Sequence, residues 1–554
     1  MNTPSEPKLS SLALEQYAEP YAEPEVARKQ PRGTAFWLVF LALCFSIFQA
    51  AFESAAVGTA LPTIASDLNA DDFVWVGSSY ALSSTCALPL MGGLAQAFGR
   101  RIVMLASITV FAVGSAISGA APSMAALIAG RTIQGFGGGG LLALSSIVVS
   151  DLVSLRERGA FNGILGLTWS LAIATSPIGG GSLAQHGQWR WIFYMNLPIS
   201  AVSFCLVLAF LKLKVPRVSI QTKLARMDWI GNLIVIASST SVCIAITWAG
   251  IKYPWSSAKV VVPLVLGLLG MVAFFVYEAL VAAHPVVPFE LMTSRTGAVG
   301  YIATFLTPFV VISAAYYFPV YLQACKGETP IQSGGIDWLG ISLTLGPFGI
   351  VGGVLVTVLG KYRPPIYAGW VLLVIGMGLW STVDDTTSRA NIIGYELLAG
   401  AGAGILFTTT YFPVLAPLPV SYNAKALAFF SFVRSFAQVW GITVGATVLQ
   451  NQLLHRLPPS FVDTLPAGVS IAYSAIPRIA ALDPAVQAQV RVAFAESLKV
   501  LWRILIGIAG AGFVSTLFMK EISMHSYTDD DWALQDGEGV LLPKHGPQSE
   551  AIAK

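Results

Sequence analysis

Two residues with acid–base chemistry sit where charge is least expected. Glu53 lies in the middle of the apolar run FQAAFESAAVGTALPTIA, and Arg131 opens another within GRTIQGFGGGG (130–140). A third charge, Arg434, interrupts FFSFVRSFAQVWG. An ionised group in hydrocarbon costs several kcal/mol, so such residues face a polar cavity or a partner. A carboxyl in dry surroundings can exchange a proton near neutral pH, which makes Glu53, with Arg131 beside it, a candidate for proton coupling. The other reading is structural: Glu53 forms an ion pair with Arg131 or Arg434, or a hydrogen bond that fixes helix packing. The sequence leaves both readings open. Glu278 and Arg503 lie nearer the ends of apolar runs, where long side chains reach toward water.

The stretch after Arg131 admits a different chemistry. Gly135, Gly137 and Gly140 satisfy G-x-G-x-x-G, the pattern that cradles a dinucleotide phosphate at the end of a strand. Here MAALIAG precedes it and LLALSSIVV follows, one continuous apolar run without strand–helix alternation. No G-x-x-x-x-G-K-[ST] loop occurs anywhere. Nucleotide binding is therefore not expected. Small residues let membrane helices approach closely, and Gly135 and Gly139, four apart, share a face. TSPIGGGSLAQ (175–185) and ELLAGAGAG (396–404) repeat the device, and Pro177 suggests a bend. Such faces serve static packing or a sliding contact between moving helices. Tyr80, Trp169, Tyr316 and Tyr317 are candidates to line a cavity for a flat apolar ligand, with packing as their alternative role. The 5 histidines are scattered, and the 5 cysteines (Cys44, Cys86, Cys205, Cys243, Cys325) show no C-x-x-C spacing. No metal, cofactor or enzymatic centre is expected.

The elements that must hold these residues follow from composition. Of 554 residues, 55% are hydrophobic and 11% charged, with a mean hydropathy of +0.69. A water-soluble domain carries about twice that charge. The net charge of +3 offers no basic stripe for nucleic acid. A membrane helix needs about 20 mostly apolar residues. That rule finds about fourteen runs: 34–64, 73–98, 101–120, 124–153, 158–185, 189–212, 228–250, 258–281, 296–324, 334–360, 365–383, 390–416, 424–450 and 500–519. Lysine and arginine concentrate in alternate loops, which places both chain termini in the cytoplasm. The long segment 451–499, read as a loop on the opposite side, breaks that trend with Arg456, Arg478, Arg491 and Lys499. The first 33 residues, with the near-repeat YAEPYAEPE, read as a disordered tail. GGLAQAFGRR (92–101) and GGVLVTVLGKYR (352–363) form a weak internal repeat.

Four motifs carry a family resemblance over about residues 34–519. They are ALPTIASDL (60–68), GGLAQAFGRR, AGRTIQGFGGGG leading into DLVSLRERGAFNGI (151–164), and TSPIGGGSLAQHGQWRWIFYMNLPI (175–199). NAKALAFFSFVRSFAQVWG (423–441) adds to them. The chain resembles the major facilitator superfamily, in particular its fourteen-helix drug:proton antiporter branch and fungal efflux pumps within it. The resemblance implies an all-α polytopic membrane protein. Two six-helix bundles (about 34–212 and 296–519) would flank two extra helices (about 228–281), with cytoplasmic tails at 1–33 and 520–554. It implies proton-coupled efflux of a small hydrophobic organic compound, such as a toxin, drug or secondary metabolite. Alternatives are vacuolar transport of an amino acid or siderophore, and a membrane substrate sensor that does not transport. It assigns Arg131 to proton transfer, Gly93, Gly99, Arg100 and Arg101 to a cytoplasmic gating turn, and Pro177 and Gly181 to a bending antiporter motif. Gln96 departs from the aspartate usual in that turn, Phe98 from a commonly basic position, and Glu53 from the usual first-span aspartate. The expected partners are a small-molecule substrate, protons and lipid, with no nucleic acid or nucleotide, for a monomer. The plasma membrane is the expected location and the vacuolar membrane the alternative.

Overall fold

A computed structural model describes residues 32–68, 74–212, 221, 227–250, 253–287, 294–329, 332–333, 339–465 and 471–524. The expected tails therefore lie almost wholly outside the described residues. The long helices, in chain order, are α1 (Thr34–Asp67), α2 (Val74–Phe98), α3 (Arg100–Gly119), α4 (Met124–Leu152), α5 (Leu155–Gln185) and α6 (Asn196–Phe210). They continue with α7 (Trp229–Trp248), α8 (Ala258–Leu280), α9 (Arg295–Tyr321), α10 (Leu339–Leu359), α11 (Arg363–Trp380), α12 (Arg389–Thr409), α13 (Asn423–Arg456) and α14 (Pro484–Leu517). A short helix, Trp191–Tyr194, leads into α6. Among the described residues the β pairing is a single bridge between Ala249 and Tyr253.

Apolar side chains all round these segments leave the backbone no water to bond, so it bonds to itself as helix. Polar residues set the starts. Ser123, Asp228, Ser294 and Ser388 accept the backbone N–H three residues on, capping α4, α7, α9 and α12. Eleven of the described helical stretches are long and apolar enough to cross a bilayer. Three more long helices, α2, α5 and α11, pack among them.

Helices α1 to α6 pack mainly on one another, as do α9 to α14, except that α5 and α10 pack extensively on each other across the halves. Helices α7 and α8 pair, and α7 lies along the seam where α2 meets α13. The two ends of the molecule differ in charge. At one, the basic end, Arg32 pairs with Glu157, Arg101 reaches the Leu208 carbonyl, and Lys425 donates to the Pro285 carbonyl. At the far end Asp67 accepts from Trp189 and Arg190, and Lys326 donates to the carbonyls of Asp385 and Thr387.

The last span differs from the expected 500–519. Helix α13 runs on to Arg456 and α14 begins at Pro484, so most of the supposed loop is helical. Each has 34 residues, about 51 Å at helical rise, against a hydrocarbon core of about 30 Å. Val490, Phe494 and Leu498 recur at helical spacing and are buried, while Glu496 pairs with Lys499 at 2.7 Å and Arg456 at 3.7 Å. A hydropathy window reads that charged face as loop, although its inward face is apolar.

The halves meet closely at the basic end. A Cβ on Gly159 of α5 would lie 2.6 Å from the Gly353 carbonyl oxygen of α10, and one on Gly163 would lie 2.6 Å from the Ile350 Cα. Gly92 of α2 lies in the same way against Ala428 of α13, 2.8 Å from its Cβ. The internal repeat has a structural counterpart here. Each copy places a paired-glycine site against the opposite half, then turns through a left-handed glycine, Gly99 (φ 88°) or Gly360 (φ 62°).

Candidate functional site

Glu53 and Arg131 meet inside the first bundle. Both side chains are shut off from solvent, and Arg131 Nη1 donates to Glu53 Oε1 at 2.6 Å. Arg131 also donates to Gln134 Oε1 at 2.7 Å and, through Nε, to the Val76 carbonyl at 2.9 Å. Its guanidinium lies over the Tyr80 ring, 4.4 Å from the centroid. The second carboxylate oxygen of Glu53 accepts from Asn196 Nδ2 of α6, and Gln134 Nε2 donates to Ser115 Oγ of α3 at 2.7 Å. Five helices thus contribute to one dry polar cluster. Asn196 Oδ1 and Gln49 Nε2 are buried there without a partner.

Arg131 and Gln134 are three apart on α4, so they share a face. The glycines beside them bring the other helices in. A Cβ on Gly138 would lie 2.6 Å from the Tyr80 hydroxyl, and one on Gly135 would strike the Tyr80 carbonyl. Gly139 meets the Ser84 backbone of α2, while Gly137 and Gly140 meet Phe111 and Ser107 of α3. All lie inside one unbroken helix, with no loop for a phosphate. The G-x-G-x-x-G pattern is here a three-helix packing surface.

A ladder of polar pairs descends from Glu53 along α1 and α6. Below the Glu53–Asn196 rung, Ser200 donates to Gln49 at 2.8 Å, and Ser46 and Ser203 lie 2.8 Å apart. The spacings 53, 49, 46 and 196, 200, 203 are those of two antiparallel helix faces. Pro177 and Gly181 are buried in α5, which is assigned as one helix through the proline. Next to them, Ser176 donates to the Phe52 carbonyl at 3.1 Å, so this motif abuts α1 one residue before Glu53.

At the basic end, Arg100 Nε donates to Asp151 Oδ2 at 2.9 Å in a buried pair. Arg158 donates to the carbonyls of Ser150 and Val153 at the end of α4. Gly93 faces Met227 at ordinary contact distance, and Gln96 only approaches the Ser421 carbonyl, at 3.4 Å. Arg100 takes its carboxylate from α4, within the same half, whereas Gln96 faces the other half.

The aromatic candidates separate. Tyr80 and Tyr317 are buried, and their hydroxyls donate to the carbonyls of Ala50 (3.2 Å) and Ile442 (2.6 Å). Trp169 is half-buried and Tyr316 is exposed. Arg434 stands apart from Glu53. It donates to the Phe407 carbonyl at 2.6 Å and lies over the Phe407 and Phe430 rings, 4.6 and 4.9 Å from their centroids. Among the described residues no three His, Cys, Asp or Glu side chains gather to hold a metal.

A family model described as Major Facilitator Superfamily matches residues 43–442. This chain belongs to the major facilitator superfamily. It is 36% identical over 523 residues to "Efflux pump FUS6" of Gibberella moniliformis, covering 93% of this chain and 92% of that one. It is 38% identical to the "Acurin A biosynthesis cluster MFS-type transporter" of Aspergillus aculeatus, covering 92% and 94%. "MFS-type efflux pump MMF1" of Pseudozyma antarctica is 36% identical, covering 93% and 96%. Among solved structures, the proton:xylose symporter XylE bound to 6-bromo-6-deoxy-D-glucose superposes with a TM-score of 0.58 at 12% identity, covering 88% of this chain and 97% of that one. That likeness concerns the fold.

For this superfamily member the sequence missed Asn196, Gln134, Ser115, Gln49 and Asp151. Asn196 and Asp151 each carried a signal, a polar residue beside an apolar run, but without a partner in view neither stood out.

Proposed function

We propose that this protein exports a small, largely apolar organic compound across a membrane, driven by protons moving the other way. The observation that carries this reading is the dry Glu53–Arg131 pair held by Asn196 and Gln134. Protonation of Glu53 would cancel its attraction to Arg131 and free the cation for other acceptors. Such a pair has two charge states that favour different helix arrangements, which is what coupling requires. The relatives named as efflux pumps support the direction of transport. The basic end, rich in Arg and Lys, is the cytoplasmic one in this reading. Counting α2, α5 and α11 as spans gives fourteen, with α7 and α8 as the extra pair. Cavity-lining roles fit Trp169 and Tyr316, which keep accessible faces. The plasma membrane is the proposed location.

The test is transport in sealed vesicles containing the full chain, with an imposed pH gradient and a panel of candidate metabolites. Gradient-dependent movement of at least one compound, lost in Glu53→Gln with the protein still inserted, is the expected result. Movement that ignores the gradient would overturn proton coupling, and full coupled activity in Glu53→Gln would remove Glu53 from the mechanism.

A further inference from the structure

Arg434, half-buried, is satisfied differently from the buried Arg131 and Arg100. Arg131 and Arg100 each hold a carboxylate, and Arg158 caps the carbonyls at a helix end. Among the described residues Arg434 makes one hydrogen bond, to the Phe407 carbonyl. Its Nε is buried with no acceptor, and among the described residues no carboxylate pairs with it. Arginine keeps its charge and carries five N–H donors in a rigid fork. The Phe407 and Phe430 rings engage the guanidinium but accept no N–H in the plane of the fork.

Its place in the fold is informative. Arg434 lies 11 residues into α13, about 16 Å along it from the basic end, near the middle of a core of about 30 Å. Helix α13 packs against α2 and α4 of the first bundle, and α12, which carries Phe407, contacts α5. The charge therefore sits at mid-depth on the helices that face across the molecule, above the Gly92–Ala428 closure. An uncompensated charge in that position has a cost that an arriving anion removes.

We propose that Arg434 is the recognition site for an acidic substrate, an otherwise apolar organic carboxylate. The carboxylate takes the N–H groups of Nη1, which have no acceptor among the described residues, and the phenylalanines hold the fork in plane. This deepens the efflux reading and rests on it for the claim that the ligand is cargo.

Equilibrium binding tests it without any gradient, so its failure is distinct from failure of proton coupling. The full-length protein in lipid nanodiscs is titrated with 2-naphthoate, the neutral isostere 2-naphthamide and the cation 2-naphthylmethylammonium, with empty nanodiscs subtracted. The expected result is naphthoate binding about tenfold or more tighter than naphthamide, with the cation weakest. In R434Q the preference for naphthoate falls to about one, and R434K retains part of it. The comparison within the wild type stands even if R434Q does not fold. Naphthoate binding no tighter than naphthamide in the wild type, including no measurable binding of either, would overturn the proposal. So would an unchanged preference in folded R434Q.

Discussion

At the scale of the residue, the Glu53–Arg131 cluster makes a prediction about stability as well as transport. A buried pair that loses one partner leaves an uncompensated charge, which costs about 3–5 kcal/mol, whereas replacing both charges by neutral groups of similar shape is far milder. Arg131→Gln alone should therefore lower the melting temperature of the purified protein more than the double variant Glu53→Gln/Arg131→Gln. Melting curves in one detergent decide it. Equal losses would mean that the two side chains act separately and that the 2.6 Å contact contributes little. Glu53 and Arg131 were legible in the sequence because a charge inside an apolar run is rare. Their companions were not. Gln134 is uncharged and so did not stand out, although it lies three positions from Arg131, and what marks Asn196 is a partner 143 positions away, which one sequence does not display. The same distance problem hid Asp151, 51 positions from the arginine it neutralises.

At the scale of the element, helix α4 shows why glycine density need not mean a ligand. Two of its faces are pressed against neighbouring backbones at once, so a single methyl group forces helices apart. Gly135→Ala should destabilise the protein by about 1–3 kcal/mol through overpacking. Gly166→Ala, on the open side of α5 where nothing lies within 4 Å, should stay within about 0.5 kcal/mol. Denaturant titration of the two variants against the wild type measures the contrast, and similar effects would show that the α4 face is not a rigid contact. A second element-scale prediction concerns the turn at 384–387 between α11 and α12. The hydroxyls and backbone N–H groups of Thr386 and Thr387 hold the Asp384 carboxyl down to about 2. A depressed carboxyl stabilises above the ordinary aspartate range and loses that contribution as pH falls through its own lowered value. The small stability advantage of wild type over Asp384→Asn should then be constant from pH 7 to about pH 4 and shrink below it. A difference already fading near pH 6 would exclude this assignment. The helices themselves were readable from apolar runs, but the far-end extensions of α13 and α14 were not, because their buried stripe shares each turn with charges.

At the scale of the whole molecule, the two copies of the glycine repeat make one structure. Gly92 of the first half is seated on α13, and Gly353 of the second is seated on α5, so each half grips the other at the basic end. Both seats exclude side chains. A transport cycle in which the halves separate at this end would have to break both seats. The closed end can therefore be locked at a single point. A Cβ on Gly92 would lie 2.8 Å from the Ala428 Cβ, and a shift of about 1 Å brings that pair into the usual disulfide range of about 3.5–4.5 Å. In a background without the natural cysteines, Gly92→Cys with Ala428→Cys should crosslink under mild oxidant. Vesicle transport should then stop and return to near the reduced level when reductant is added. Binding of substrate from the far side should survive the crosslink, because the lock lies below Arg434 and away from Glu53. If the crosslinked protein still moved substrate across the membrane, the basic end would not be a gate, and the reciprocal glycine seats would be fixed joints between the halves.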